Sequence, residues 1–227
     1  MNPSLPQDLH PDTLAVRQAL PRSVYGEHSE ALYLTSSFVQ PDAETAARRF
    51  AGEEDGYTYT RTSNPTVTSF EQRLAALEGT ESAIGTASGM SAILLMCLGL
   101  LKAGDHVVCS QSMFGSTIKL IGGELARFGV DSSFVPQTDS SAWKAALRPN
   151  TQLLFAETPT NPLTDLCDIA ELAAIAHDAG VLLAVDNCFA SPALQRPAML
   201  GADLVIHSFL DVPRACKTLL ASCPAPN

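Results

Sequence analysis

The sequence has few charged residues and no long apolar run. Charged residues make up 17% of its 227 residues and hydrophobic residues 46%, whereas soluble domains carry about 25% charged residues. This composition excludes a disordered polyelectrolyte and predicts a sizeable buried core. No apolar run reaches the roughly 18 residues of a membrane span. The N-terminal MNPSLPQDLHPD lacks the basic flank and apolar stretch of a secretory signal. We therefore expect a cytoplasmic protein with no membrane partner.

Basic residues and metal-binding cysteine patterns are also scarce. The 14 Lys and Arg residues against 24 Asp and Glu residues give a net charge of −10, and a nucleic-acid binder needs a basic face. None of the six cysteines forms a CxxC pair or has a histidine at zinc spacing. We expect no nucleic-acid partner, no metal, and reduced thiols that lie mostly in the core.

Short, continuous apolar runs alternate with helical periodicity along most of the chain. Strands with apolar residues at every position are covered on both faces, as in the parallel sheets of α/β proteins. The pattern predicts a three-layer α/β/α domain with a mostly parallel sheet and right-handed crossovers. The predicted strands are 82–87, 105–110, 130–135, 152–157, 181–186 and 203–207.

Capping residues and glycines delimit the predicted helices. Asn64-Pro65 begins one helix, which Gly79 ends. Further helices are predicted over 89–101, 118–128 and 140–147, and before Gly180. Gly122 and Gly123 weaken the second of these by about 1 kcal/mol each. Residues 1–30 are predicted to be an extended arm, and the tail after Ser208, with three prolines, has no predicted element.

Ligands of such sheets bind at the carboxyl ends of the strands, which selects 88–90, 157–161, 186–187 and Ser208. Ser88-Gly89-Met90 joins a strand to a helix there, and free N–H groups at a helix start suit a phosphate, although a plain helix start looks the same. Tyr59 and Arg61 are spaced to point the same way and clamp a phosphate, or are simply surface residues. Asp186 ends an apolar strand, where it caps a turn or faces a cation such as a protonated pyridine nitrogen.

Five motifs together resemble one family. They are YTYTRTSNPT, ASGMSA, ETPTNP, AVDN and ADLVIHS. Their order and spacing are similar to those in the pyridoxal-phosphate (PLP) enzymes of cysteine and methionine metabolism. These enzymes form the cystathionine gamma-synthase family of fold type I. The resemblance covers about residues 10–211. Residues 22–38 and the FGST run at 114–117 look most like the O-succinylhomoserine sulfhydrylase branch.

The resemblance implies a cofactor, pyridoxal 5'-phosphate, and a role for each matching residue. Ser88, Gly89 and Met90 match the phosphate loop, and Ser208 matches a serine that contacts the phosphate. Tyr59 and Arg61 match a pair that reaches the phosphate of the neighbouring subunit's cofactor, which implies a homodimer or homotetramer. The remaining positions lie around the ring: Phe114 stacks on it, Asp186 partners its nitrogen, and Asn161 lies near its hydroxyl and the substrate carboxylate.

The sequence departs from the family after Ser208. The family reads Ser-x-Thr-Lys, with the lysine that binds the cofactor covalently, whereas Phe209-Leu210-Asp211 follows here. Lys217 lies in unrelated sequence and is a poor substitute, so we expect no catalytic lysine. A DNA sequence that encodes residues 212–216 can be written so that the reading frame shifted by one base encodes Gln-Gly-Arg. The family sequence continues with these three residues at this point. This suggests a frameshift, which the nucleotide sequence tests.

The resemblance therefore predicts an incomplete enzyme. We expect an arm with the clamp segment at 1–60, an incomplete PLP-binding domain at 61–211 and an aberrant tail at 212–227. The family's C-terminal domain and its next antiparallel strand are missing, which leaves strand 82–87 without a neighbour unless residues 215–222 imitate that strand by chance. The intact enzyme makes homocysteine from O-succinylhomoserine and sulfide, in methionine biosynthesis, and we expect this chain to be inactive. The alternatives are a related gamma-synthase or gamma-lyase, and a non-catalytic pseudogene fragment.

Overall fold

The structure is a computed structural model that describes residues 9–20 and 23–208 and the backbone of residues 219–222. The chain forms two compact units, Met1–Leu74 and Ala75–Asn227. The tail segments 209–218 and 223–227, with Lys217 and most of the suspected frameshift, lie outside the described residues. In the part that is described, no helix combines the length and the apolarity needed to cross a membrane.

The first unit contains three helices: α1 Pro11–Arg17, α2 Ala43–Phe50 and most of α3 Pro65–Glu78. The prediction of an extended arm over 1–30 is wrong at α1. The His10 side chain accepts a hydrogen bond from the Asp12 N–H, Pro11 occupies the first turn, and Leu14 is buried. The predicted start of α3 is confirmed, because the Asn64 side chain accepts a hydrogen bond from the Thr66 N–H.

The second unit alternates strands and helices, as predicted. Its strands are β1 Ser82–Gly85, β2 His106–Ser110, β3 Asp131–Val135, β4 Thr151–Glu157, β5 Leu182–Asp186, β6 Leu204–His207 and β7 Leu219–Ser222. Its helices are α4 Gly89–Leu100, α5 Gly115–Lys119, α6 Ser140–Ala145, α7 Ile169–Asp178 and α8 Ser191–Leu194. The predicted regular helix over 118–128 is instead a π-helical turn, Leu120–Glu124, followed by a 3-10 turn, Leu125–Phe128.

The sheet has the strand order β1-β7-β6-β5-β4-β2-β3. β3, β2, β4, β5 and β6 pair in parallel, whereas β7 runs antiparallel between β6 and β1. The expectation that the first strand has no neighbour, and that the tail has no element, is therefore wrong. The backbone of Leu219–Ser222 pairs with β1 on one side and with β6 on the other.

Two apolar cores lie on the two faces of the sheet, as a three-layer architecture requires. Alternate strand residues point to opposite faces, so Val107 and Phe155 join the core that includes α4, whereas Val108 and Leu154 join the core beneath α6 and α7. Strands β2 and β6 are buried at every residue. This confirms the inference from their continuous apolar runs, and it places the polar residues at the strand ends.

Candidate functional site

The carboxyl ends of β1, β4, β5 and β6 meet at one edge of the sheet. β1 is antiparallel to β7, which is antiparallel to β6, so β1 points the same way as the parallel strands. The chain leaves this edge through Ser88 after β1 and through Ser208 after β6, and β4 and β5 end there at Glu157 and Asp186. The sheet therefore brings the predicted phosphate loop, Asp186 and Ser208 to a common edge.

The start of α4 leaves two backbone donors free. Ser88 caps the helix: its Oγ accepts the Ser91 N–H at 3.1 Å, and its carbonyl accepts the Ala92 N–H at 3.1 Å. Within the described residues, the N–H groups of Gly89 and Met90 have no acceptor. Because these donors also lie at the positive end of the helix dipole, the start of α4 suits an anion such as phosphate.

Asp186 is a buried carboxylate at the end of β5. It is only 7% exposed and accepts the Cys188 N–H at 3.1 Å. Burial raises the pKa of Asp186, with the nearby His207 acting in the opposite direction. Among the described residues, no Lys or Arg forms an ion pair with it. A cation that entered this site would stabilise its charged form.

Glu157 lies among the strand-end positions that the sequence analysis selects, but no role was predicted for it. Its Oε2 accepts the Phe114 N–H at 2.6 Å and its Oε1 accepts the Asn161 N–H at 2.8 Å. Its Cα is the register partner of Asp186 on the neighbouring strand. Burial raises the pKa of Glu157 to about 7, and the Asp186 charge adds to the rise. The signal was available in the sequence, since Glu157, like Asp186, is an acid that ends an apolar strand.

The loops after β4 and β5 are joined by an amide network of Asn187 and Gln195 that the sequence did not predict. Asn187 Nδ2 donates to the Gln195 carbonyl at 2.9 Å, and Gln195 Nε2 donates to Asn187 Oδ1 at 2.9 Å and to the Thr158 carbonyl at 2.8 Å. Asn187 Nδ2 also lies 3.3 Å from Glu78 Oε1, which is hydrogen-bonded to His207. This network fixes the edge of the sheet on which Asp186 lies.

Tyr59 and Arg61 lie together in the first unit, as their spacing predicts. The guanidinium carbon of Arg61 is 4.9 Å from the centre of the Tyr59 ring. The Tyr59 backbone forms an isolated antiparallel bridge with Ser37. Both side chains are exposed, so a phenol and a guanidinium face solvent side by side. This pairing can bind an anion by a charge-assisted hydrogen bond.

Comparisons with known proteins agree on one family. The model of the Cys/Met metabolism PLP-dependent enzymes matches residues 12–210. An O-succinylhomoserine sulfhydrylase from Pseudomonas aeruginosa is 58% identical over 197 residues, which are 87% of this chain and 49% of that protein. An L-methionine gamma-lyase from Fusobacterium nucleatum subsp. polymorphum is 43% identical over 86% of this chain and 50% of that protein. The chain spans about half the length of the curated relatives it matches.

A solved structure adds a chemical detail. A Campylobacter jejuni protein, described as an O-acetylhomoserine (thiol)-lyase, is 29% identical and superposes with a TM-score of 0.90. The match covers 96% of this chain and 55% of that one. That structure holds N'-pyridoxyl-lysine-5'-monophosphate, a lysine joined to the cofactor.

The residues of this chain have the chemistry that pyridoxal 5'-phosphate requires. The two N–H groups at the start of α4 that lack an acceptor among the described residues suit its phosphate, and the buried carboxylate of Asp186, which pairs with no described Lys or Arg, suits its protonated ring nitrogen. The Phe114 ring is 44% exposed and therefore open to stacking. Ser208 is half-buried at the same edge of the sheet. The observed donors and acceptors thus fit the cofactor of this family.

Proposed function

We propose that this chain, which belongs to the Cys/Met metabolism PLP-dependent enzymes, binds pyridoxal 5'-phosphate non-covalently and has no sulfhydrylase turnover of its own. One observation carries the cofactor assignment. Among the described residues, a helix start with two unused N–H groups and a buried carboxylate without a Lys or Arg partner lie at the same edge of one sheet. They offer complementary partners for the two ends of one cofactor, its anionic phosphate and its protonated ring nitrogen.

Each residue then has a defined task at the proposed site. When bound, the cofactor supplies an electron sink for carbanion chemistry. Gly89 and Met90 donate their N–H groups to the phosphate, and Ser208 contacts it as well. Asp186 holds a proton on the ring nitrogen, because a buried carboxylate favours a neighbouring cation. Phe114 covers one face of the ring, and Asn161 orients its hydroxyl.

We propose that a full-length enzyme with this chain as its first half would be an O-succinylhomoserine sulfhydrylase, which makes homocysteine from O-succinylhomoserine and sulfide. The support is the 58% identity to a sulfhydrylase, against 43% to a methionine gamma-lyase. A gamma-lyase or gamma-synthase remains the second candidate, because those relatives match nearly the same share of the chain. Assays with O-succinylhomoserine plus sulfide and with methionine, on a chain joined to the second half of a relative, separate the two.

The absence of turnover rests on the residues that follow Ser208. Phe209, Leu210 and Asp211 provide no primary amine where the family carries its lysine. That lysine both anchors the cofactor and carries protons, and a positioned acid–base group contributes about 10²–10⁴-fold to a rate. Without it, the site retains binding residues and lacks the group that moves protons.

Borohydride reduction tests this proposal. The chain is saturated with pyridoxal 5'-phosphate, reduced, digested and analysed by mass spectrometry. We expect a saturable change in the absorbance of the cofactor on binding, no uniquely labelled lysine peptide, and background formation of homocysteine. Insertion of Ala-Thr-Lys between Ser208 and Phe209 should create one labelled peptide, whereas the matched insertion Ala-Thr-Gln should not.

Four results would contradict parts of the proposal. No saturable binding would refute the cofactor site, and a unique adduct on Lys217 would show that the tail supplies a replacement amine. Homocysteine formation above background by the unmodified chain would refute the absence of turnover. Failure of the Ala-Thr-Lys variant to take a label would contradict the assignment of Ser208.

A further inference from the structure

Glu157 is the one acid of the site that the proposed function leaves without a task. It is 5% exposed and uses both carboxylate oxygens on backbone donors. One donor, the Phe114 N–H, lies 43 residues earlier in the chain, at the start of α5. The other, the Asn161 N–H, lies four residues later, in the loop after β4. A single carboxylate thus joins the two loops that carry the ring-stacking residue and the residue near the ring hydroxyl.

The two hydrogen bonds need both oxygens of an ionised carboxylate. Each N–H can only donate, so each requires an oxygen that accepts. A protonated carboxyl group, or the amide of glutamine, keeps one accepting oxygen and turns a donor toward the other N–H. Short N–H contacts to a carboxylate are also stronger than those to a neutral oxygen. Loss of the charge therefore releases one loop and weakens the hold on the other.

We propose that Glu157 is a positioning residue that holds the Phe114 and Asn161 loops in place for the cofactor, and that only its ionised form holds both. The inference rests on the proposed cofactor site, because Phe114 and Asn161 have their tasks there. Glu157 acts through these residues and is not assigned a contact with the cofactor.

The surroundings of Glu157 set the pH range in which this role is present. Asp186 on β5 and the Cys188 thiol after β5 are the titratable groups whose charges act with that of Glu157, and His207 on β6 acts on Asp186. Burial raises the pKa of the Cys188 thiol, so it stays neutral in the ordinary range. Burial and the Asp186 charge raise the pKa of Glu157 to about 7. The carboxylate that holds both loops therefore forms as pH rises through about 7.

Amide hydrogen exchange on the full chain tests whether Glu157 holds the loops. Exchange of the Phe114 and Asn161 amides is measured at pH 8.5 and pH 5.5, corrected for the intrinsic pH dependence, in the wild type, Glu157→Gln and the control Glu124→Gln. Glu124 is an exposed acid outside the site. We expect protection of at least one of the two amides to fall about tenfold or more in Glu157→Gln, and to fall in the wild type at the lower pH.

Cofactor binding tests whether this hold serves the site. The dissociation constant of pyridoxal 5'-phosphate is measured for the same three proteins at both pH values. The ratio of Glu157→Gln to wild type cancels the titration of the cofactor phosphate, which both proteins share. We expect Glu157→Gln to bind about tenfold more weakly at pH 8.5 and nearly as well as the wild type at pH 5.5, with Glu124→Gln equal to the wild type at both.

The outcomes separate this inference from the proposed function. Equal protection of both amides in Glu157→Gln and the wild type, or an affinity ratio that does not change with pH, would overturn the role of Glu157 while leaving the cofactor site standing. A wild type that binds no pyridoxal 5'-phosphate would refute the proposed function, and the positioning role with it. In that case the amide exchange would still show whether Glu157 joins the two loops.

Discussion

The Glu78 carboxylate and the His207 imidazole lie 2.5 Å apart in the core of the second unit, although 129 residues separate them in the sequence. Glu78 is the last residue of α3 and is fully buried, and His207 is the last residue of β6 and is 2% exposed. The same Glu78 oxygen lies 3.3 Å from Asn187 Nδ2. One buried carboxylate thus fixes the residues immediately after Asp186 and before Ser208.

Glu78→Ala should destabilise the chain markedly, because the Asn187 amide and the His207 ring would both lose this acceptor. A buried polar group left without its partner costs about 1–3 kcal/mol. Glu78→Gln keeps one accepting oxygen and should lose much less stability. Urea denaturation of both variants measures the free energies of unfolding, and equal losses would show that this hydrogen bonding does not matter for stability.

Most strands of the second unit could be predicted because their apolar runs are local signals. Strands β2, β4, β5 and β6 appear within a residue or two of the predicted bounds. Helix α2 was missed although its signal is local, since the Asp42 side chain accepts the Thr45 N–H at 2.7 Å. Strand β7, in contrast, has no local signal that predicts its partners. Its pairing is decided by the open edges of β1 and β6, which no pattern in LLAS encodes.

The proposed site could be predicted where a residue carries its own signal. Ser88 caps α4 and Asp186 ends an apolar strand, and both were identified from their positions. Glu78 and His207 carry no such signal, because their hydrogen bond exists only in the folded second unit. Glu157 lies between these cases, since its place at a strand end is visible in the sequence but its backbone partners are not.

Asp186→Asn should weaken cofactor binding and stabilise the free chain. The neutral amide cannot pair with a protonated ring nitrogen, and the loss of such a charge-assisted contact should raise the dissociation constant about tenfold to hundredfold. Burial raises the pKa of Asp186, so the ionised acid costs stability above its ordinary pKa, and the amide removes that cost. Titration with pyridoxal 5'-phosphate and thermal denaturation at pH 8 measure the two effects. A variant that is less stable and binds normally would identify Asp186 as a turn cap.

Arg61→Ala should weaken retention of pyridoxal 5'-phosphate about tenfold or more, if the exposed Arg61 and Tyr59 side chains act as the proposed anion clamp. The proposed homo-oligomer places this clamp on the cofactor of a second copy. Mixing unfolded Arg61→Ala and Asp186→Asn chains and refolding them together should then restore tight binding in about a quarter of the sites of a dimer. If mixing restores no tight binding, either Arg61 and Asp186 act on the cofactor of the same subunit, or Arg61 does not bind the cofactor.

The stability of the free chain should fall as pH rises from about 4.5 to 7, through Glu157. The pKa of Glu157 rises from 4.5 to about 7 on folding, so the folded state binds more protons than the unfolded state in that window. The free energy of unfolding then decreases with pH, by up to roughly 3 kcal/mol over the window. Glu157→Gln lacks this dependence. Urea denaturation at pH 4.5, 6 and 7.5 should show the wild type losing stability relative to the variant, and parallel profiles would contradict the buried titration.

A proline in β7 should disrupt the sheet from its middle. Ala221 pairs with Ala83 of β1 and with Val205 of β6, so β7 joins the strand that leads into the proposed phosphate loop to the rest of the sheet. Ala221→Pro removes one backbone N–H from this ladder and leaves a carbonyl unpaired, which costs about 1–3 kcal/mol. Ala221→Val retains the N–H and favours strand geometry, so it should preserve stability. In Ala221→Pro, β1 would lose its neighbour, so hydrogen exchange should accelerate more in Ser82–Gly85 than in β2 or β4. Aggregation should also increase, because the edge of β1 would be exposed. Unchanged protection of β1 in the proline variant would show that Leu219–Ser222 is not needed to complete the sheet.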